Sequence, residues 1–201
     1  MTTEMIRIFD DNMVCIGQKP REEVHKAGDW HETFHCWFTI GENLLLQKRS
    51  PDKKDYPGLF DITSAGHLTV DETIEDGIRE VEEELGVKVE FKDLVSLGVL
   101  KEEIIFDEMR DREFCHVFLY ECKTMPEFIL QKEEVESMHT VRLEDAIKLF
   151  DGVVREVEVT LVGGREEKQI IGLDSFVGHG SYYFKVLKRI EEIMANRECA
   201  Q

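Results

Sequence analysis

Apolar positions in this chain fall into two periods, and the periods name the elements. Residues 5–17 (MIRIFDDNMVCIG) read as two short strands around a turn at Asp10-Asp11-Asn12. Thr33–Ile40 (TFHCWFTI) is aromatic and β-branched and predicts a core strand, and Gly41-Glu42-Asn43 turns it back into Leu44–Lys48 as a hairpin. A polar loop with two prolines, Arg49–Gly58, precedes a short strand over Leu59–Thr63. Ile74, Ile78, Val81 and Leu85 recur at helical spacing, so a helix is expected over about 72–85, stopped by Gly86 at a left-handed C-cap. Val95–Phe106 and Arg112–Cys122 have strand composition, with a charged turn at Asp107–Asp111 between them. Val135–Val141 alternates and predicts an edge strand, and Arg142–Phe150 a short helix. Two alternating runs around Gly163-Gly164 predict a hairpin within 153–172, and Tyr182, Val186, Ile190 and Ile193 predict a last helix over about 181–196.

Strands mixed with a few helices predict an α+β fold, with α/β/α layers around one mixed β-sheet. No repeat, low-complexity tract or linker divides the 201 residues, so a single domain over 1–201 is expected. Its core would lie at about 30–150, with an N-terminal β extension and a C-terminal addition, hairpin plus helix, over 153–201.

Charge and cysteine content narrow the function classes. Lys+Arg 25 against Asp+Glu 43 gives a net charge of −18. That excludes a nucleic-acid or anionic-membrane binder, which needs a basic footprint. No apolar run is long enough to span a bilayer and MTTEMIRIFDD has no signal-peptide core, so a cytoplasmic location is expected. The five cysteines (Cys15, Cys36, Cys115, Cys122, Cys199) form no CxxC pair, and the odd count indicates no disulfide framework. Cys36 and Cys115 lie in apolar runs and read as buried thiols. Trp30 and Trp37 read as core packing.

The chemistry concentrates between Gly66 and Val87. Glu80, Glu83 and Glu84 stand at i, i+3 and i+4 and share one helix face. Packed carboxylates repel unless a cation lies among them. Arg79 is one candidate, and a hard divalent ion with a preference for oxygen ligands is another. A plain solvated acidic face is the alternative. The ordered string Arg79-Glu80-Val81-Glu82-Glu83-Glu84-Leu85-Gly86-Val87 resembles the second half of the Nudix box, G-x5-E-x7-R-E-U-x-E-E-x-G-U, at every specified position. Gly66 and Glu72 have the spacing of its first half. Six residues rather than seven separate Glu72 from Arg79, which leaves the first acidic position to either Glu72 or Asp71.

Further segments resemble the isopentenyl-diphosphate isomerase branch of that superfamily: Leu44–Ser50, Lys53-Lys54, Tyr56-Pro57-Gly58, Ala65-Gly66-His67, His25 and His31 ahead of an aromatic strand, and Asp111-Arg112-Glu113. Plant Nudix enzymes are similar around His25–His31 and Asp61–His67. The resemblance implies a second metal site made of His25, His31, His67, Asp111 and Glu113, with imidazole favouring Mn²⁺ or Zn²⁺ there. The isomerase's catalytic cysteine falls at Ala65, which cannot move a proton, whereas the hydrolase carboxylates are complete. The implied function is a divalent-metal-dependent hydrolase of a small organic diphosphate, a nucleoside diphosphate derivative or a prenyl diphosphate. Glu80, Glu83 and Glu84 would ligate Mg²⁺ (or Mn²⁺), with Glu83 or Glu80 as base. Arg79 would orient a carboxylate, and Arg49 and Lys53 would bind phosphate, with Lys48 and Lys54 toward solvent. The alternatives are an isomerase-like enzyme or a non-catalytic ligand-sensing module. The partner expected is a small-molecule diphosphate, and the 153–172 hairpin offers an edge for a homodimer. His116, His139 and His179 have no role in this reading.

Overall fold

The computed structural model describes residues 4–106, 109–164, 167–178 and 180–198. The described residues form one mixed sheet of eleven strands. The main path runs through strands β1 (Met5–Phe9), β2 (Cys15–Pro20), β3 (Trp30–Ile40), β4 (Asn43–Arg49), β9 (Val135–Arg142), β10 (Glu156–Leu161) and β11 (Lys168–Gly172), in the order β11-β10-β9-β4-β3-β1-β2. Four more strands join it. β5 (Phe60–Asp61) pairs with β4, and β6 (Ser64–His67) with β3. β8 (Met109–Glu121) runs parallel to β3 along ten residues, and β7 (Val95–Phe106) pairs antiparallel with β8.

Alternation along β3 separates two cores, because successive side chains leave a strand on opposite faces. Trp37 packs with Leu44, Leu46, Val117 and the C-terminal elements, whereas Phe34, Cys36 and Phe38 pack with Leu45, Leu68 and Val81 on the other face. Helices α3 (Leu143–Phe150) and α4 (Tyr182–Glu198) cover the first face, and helix α2 (Arg79–Leu85) the second. The layering is therefore α/β/α, as the alternation predicts.

Both hairpins and the last helix form where expected. The C-terminal segment supplies part of the main core: Val157, Val159, Ile171, Tyr182, Tyr183, Val186, Leu187 and Ile190 are all buried in it. Each such side chain contributes roughly 1.5–3 kcal/mol of burial.

The structure corrects four expectations. The helix of the acidic string starts at Arg79 rather than 72, with a 3-10 turn over Asp76–Ile78 before it. Asp76 accepts from the Thr73 N–H (2.8 Å) and hydroxyl (2.6 Å), a local turn that competes with helix at those residues. The 135–141 strand is interior, flanked by β4 and β10, because the added hairpin covers its free edge. A helix, α1 (Arg21–Ala27), occupies a charged stretch with a single buried residue, Val24, and so with no apolar stripe to announce it. Asp111 lies within β8 rather than in the turn before it; of that turn, residues 107–108 fall outside the described residues, as do Arg165, His179 and Cys199. Cys36 and Cys115 are fully buried free thiols and Trp37 is a core residue. No described helix is long and apolar enough to cross a membrane.

Candidate functional site

Arg79 organises the carboxylates. Its guanidinium donates to both oxygens of Glu72, to Glu80 Oε1 (2.7 Å), to Glu83 Oε2 (3.0 Å) and to the His67 carbonyl (3.2 Å). Glu72 also accepts the Thr69 N–H at 2.8 Å. Its hydrogen bonds with Arg79 hold its carboxyl down at about 2, well below the usual range. Of the two candidates for the first acidic position, Glu72 is the one that Arg79 holds, and Asp71 is exposed to solvent. A 3-10 turn over Asp76–Ile78 lies between Glu72 and Arg79.

Glycine is required at both ends of the motif. A β-carbon on Gly66 would overlap the Glu80 carboxylate, so the glycine lets that side chain lie on β6. Gly86 holds φ 69° at the α2 C-cap, and a β-carbon there would also meet Ile129.

The three helix carboxylates differ in environment. Burial pushes the Glu80 carboxyl up to about 7 against the pull of Arg79. Glu84 is buried, and desolvation followed by the charge of Glu80 pushes it up to about 8. Its Oε2 has no hydrogen-bond partner among the described residues. Glu83 is the open member, with 55% of its side chain exposed against 14% for Glu80. A buried carboxylate with an unused oxygen beside a second crowded carboxylate is a donor set that a hard cation would relieve.

A second cluster draws one residue from each of four elements: His25 from α1, His31 from β3, His67 from β6 and Asp111 from β8. The three imidazole centroids form a near-equilateral triangle with sides of 5.0–5.1 Å. Asp111 Oδ1 lies 3.3 Å from His31 Nε2 and 3.6 Å from His25 Nε2, and the Nε2 atoms of His25 and His67 are 3.0 Å apart. His31 Nδ1 faces the Asp29 carbonyl at 3.1 Å, which turns Nε2 toward the cluster, where it is buried near Asp111 with no hydrogen bond among the described residues. Burial lowers the His25 imidazole to about 4 and lowers His31 and His67 as well. All three are thus held neutral, the form that binds a metal.

Glu113 lies beside this cluster, paired with His31 across β3 and β8, and its charge acts on all three histidines. Its Oε2 is 3.4 Å from His35 Nε2, from Thr33 Oγ1 and from Cys115 Sγ. β8 lies beside β3 with Glu113 opposite His31, and Thr33 and His35, further along that face of β3, contact the same carboxylate oxygen. Burial alone would raise this carboxyl, but the hydrogen bond and charge of His35 hold it well below the usual range.

The carboxylates around Arg79, three members of the second cluster (His25, His67 and Asp111) and Glu113 line one cavity of about 490 Å³, with His31 behind its wall. Its cationic lining comprises Arg79, Arg49, Lys53 and Arg21. Lys53 pairs with Glu134. Arg49 donates to Asp61 Oδ2 (3.0 Å) and to the carbonyls of Asp55 (2.8 Å) and Tyr56 (3.2 Å), so much of its guanidinium holds the 50–58 loop. Lys48 pairs with Glu136 outside the cavity and Lys54 is exposed. Arg21, His35, Tyr56 and Asp61 also line the cavity and were not expected there. Arg21 stands four residues before His25, a spacing that marks a shared face once α1 is known. Ala65 lies in the wall as well, presenting only a methyl group. Elsewhere, His116 bonds Glu32 Oε1 at 2.9 Å and His139 bonds Ser137 Oγ at 3.0 Å.

Comparison with known proteins places this geometry. A family model described as NUDIX domain matches residues 29–161. The chain is 39% identical over 200 residues to an uncharacterised Nudix hydrolase of Clostridium acetobutylicum, covering 94% of this chain and 97% of that one. It is 32% identical over 120 residues to an isopentenyl-diphosphate Delta-isomerase of Mycolicibacterium vanbaalenii, covering 58% of this chain and 66% of that one. Among solved structures, a Deinococcus radiodurans protein superposes with a TM-score of 0.59 at 18% identity, covering 74% of this chain and 90% of that one.

Proposed function

This chain belongs to the NUDIX-domain family and is a Nudix-type hydrolase, and from that premise we propose that it cleaves the diphosphate linkage of a small organic diphosphate with a divalent cation. The observation that carries the reading is the complete carboxylate set, Glu80, Glu83 and Glu84, organised by Arg79 in a cavity whose lining also holds Lys53, Arg49 and Arg21. Glu80, Glu83 and Glu84 would hold Mg²⁺ or Mn²⁺, and His25, His31, His67 and Asp111 a second ion. Such an ion neutralises phosphate charge and lowers the pKa of a water bound to it.

The chain's own residues do the rest. Lys53 exchanges Glu134 for a phosphate oxygen, and Arg49 keeps the loop that carries it in place. Arg21 adds charge from α1. Arg79 fixes the carboxylates so that little reorganisation is needed at reaction, which is the main demand of phosphoryl transfer. Glu83, the open carboxylate, is the base that takes the proton of the attacking water, with Glu80 as the alternative. Ala65 has no proton to give, so a proton-shuttling isomerisation lacks its acid at that position. The complete set of mutually repelling carboxylates also speaks against a non-catalytic sensing module.

The test is a hydrolysis panel of nucleoside diphosphate derivatives, prenyl diphosphates and thiamine-type diphosphates, read by phosphate release with Mg²⁺, Mn²⁺ or EDTA. Metal-dependent turnover of at least one class is expected. No turnover of any class, together with deuterium uptake into isopentenyl diphosphate, would reverse the reading in favour of isomerisation.

A further inference from the structure

Arg7 stands on the N-terminal strand β1, far in sequence from the acidic helix. Alternation along that strand sends Ile6 and Ile8 into a small core with Val24, so Arg7 leaves the opposite face. Its side chain is 26% exposed, and its two terminal nitrogens have separate targets. Nη1 donates to two backbone carbonyls, Val70 at 3.2 Å and Glu72 at 2.8 Å. Nη2 donates to Glu32 Oε2 at 3.1 Å. Glu32 is anchored in turn, since its Oε1 meets His116 Nε2 at 2.9 Å. The strands that carry Glu32 and His116, β3 and β8, lie side by side. One end of the guanidinium is thus tied to the sheet and the other to the loop at 69–72.

That loop presents Glu72 to Arg79. Strand β1 also reaches it through its backbone, where the Met5 carbonyl accepts the Val70 N–H at 3.0 Å. Inside the loop the Glu72 N–H donates to the Thr69 carbonyl (3.2 Å), and the Thr69 N–H donates to Glu72 Oε2 (2.8 Å). Glu72 is therefore held from two sides. Arg7 grips its main-chain carbonyl, while Arg79 and the Thr69 N–H grip its carboxylate. A guanidinium keeps its donors in a rigid planar fork, so the two carbonyls it binds stay in one fixed relation to Glu32 and the sheet. Without Arg7 both carbonyls would turn to water, and the peptide planes that aim the Glu72 side chain would be free to rotate.

We propose that Arg7 is a positioning residue of this site: anchored by Glu32 and His116, it fixes the backbone of residues 69–72 so that the Glu72 carboxylate meets Arg79. The inference rests on the reading of this cavity as the active site, but its test uses no substrate and so fails separately from that reading. The test is hydrogen exchange by NMR in metal-free protein, with wild type compared against Arg7→Met and Ile8→Val. In wild type the guanidinium protons of Arg7, assigned through its own side chain, should be protected from exchange with water. Arg7→Met should speed exchange of the Thr69 amide and of the Arg79 Nε–H about tenfold, the loss expected when a charged donor is removed. The Val70 amide, which bonds to the β1 backbone, should keep its wild-type rate in that variant. Ile8→Val trims a buried side chain of the same strand and should leave all three rates unchanged. Unprotected Arg7 protons in wild type overturn the proposal whether or not Arg7→Met folds. So do unchanged Thr69 and Arg79 rates in Arg7→Met. Acceleration of Val70 along with the others, or the same response in Ile8→Val, would mean simple loosening of β1 and would overturn it as well.

Discussion

Replacing Arg79 by Met removes the cation that hydrogen-bonds Glu72, Glu80 and Glu83 while keeping most of the aliphatic stem. Its cost can be worked from Glu72. A carboxyl held at about 2 instead of 4.5 prefers its charged form by roughly 3 kcal/mol. Side-chain exposures of 32% for Arg79 and 16% for Glu72 mean that solvent screens part of this, leaving about 1–2 kcal/mol. The assay is a double-mutant cycle by urea denaturation at pH 7 in EDTA, with Glu72→Gln, Arg79→Met and the pair. A coupling of about 1–2 kcal/mol is expected. Arg79→Met alone should cost more than Glu72→Gln, because it also leaves Glu80 and Glu83 facing each other uncompensated. Asp71→Asn should stay within about 0.5 kcal/mol of wild type, as exposed sites do. A coupling near zero, or a larger cost for Asp71→Asn than for Glu72→Gln, would refute the assignment of Glu72 to the box.

Gly66→Ala should drive the Glu80 carboxylate off β6 and reduce turnover about a hundredfold or more, a loss visible in steady-state kinetics with the secondary structure intact by circular dichroism. His139, which burial holds at about 4, has a depressed folded-state value, so the unfolded chain binds the extra proton between about 4 and 6.5. Its contribution is full above pH 6.5 and is lost as pH falls toward 4; denaturation midpoints of His139→Gln should therefore fall less over that window than those of wild type, by on the order of 2 kcal/mol. Mn²⁺ titration followed by water-proton relaxation should resolve two classes of site, and His31→Asn should weaken one of them 10-fold or more while leaving the class that Glu84→Gln removes.

Much of this site can be read from the chain because its parts are local. Arg79, Glu80, Glu83 and Glu84 share one turn of helix, and Val81 and Leu85 bury the opposite side. Spacing alone gives that geometry. Glu72 was ambiguous by one residue because a 3-10 turn, driven by the Thr73–Asp76 bonds, replaces the expected first helical turn. The fold brings His25, His31, His67 and Asp111 together, whereas the Glu113 carboxylate is bonded by Thr33. Nothing local shows that Thr33 and His35 compete for that carboxylate, since their alignment with Glu113 comes from the parallel pairing of β3 and β8 across some eighty residues. α1 escaped notice because only Val24 among its residues is buried, so Arg21 escaped with it. The interior position of β9 depends on a contact with β10 that closes only when the C-terminal hairpin folds back onto the sheet.

The most direct test of the account is the turnover of Glu83→Gln against wild type, on whichever diphosphate the panel identifies, with Mg²⁺ at saturation and the fold checked by circular dichroism. Loss of the open carboxylate should lower kcat by at least about a hundredfold in a protein with unchanged secondary structure. A folded Glu83→Gln enzyme that hydrolyses the same substrate at the wild-type rate would contradict it.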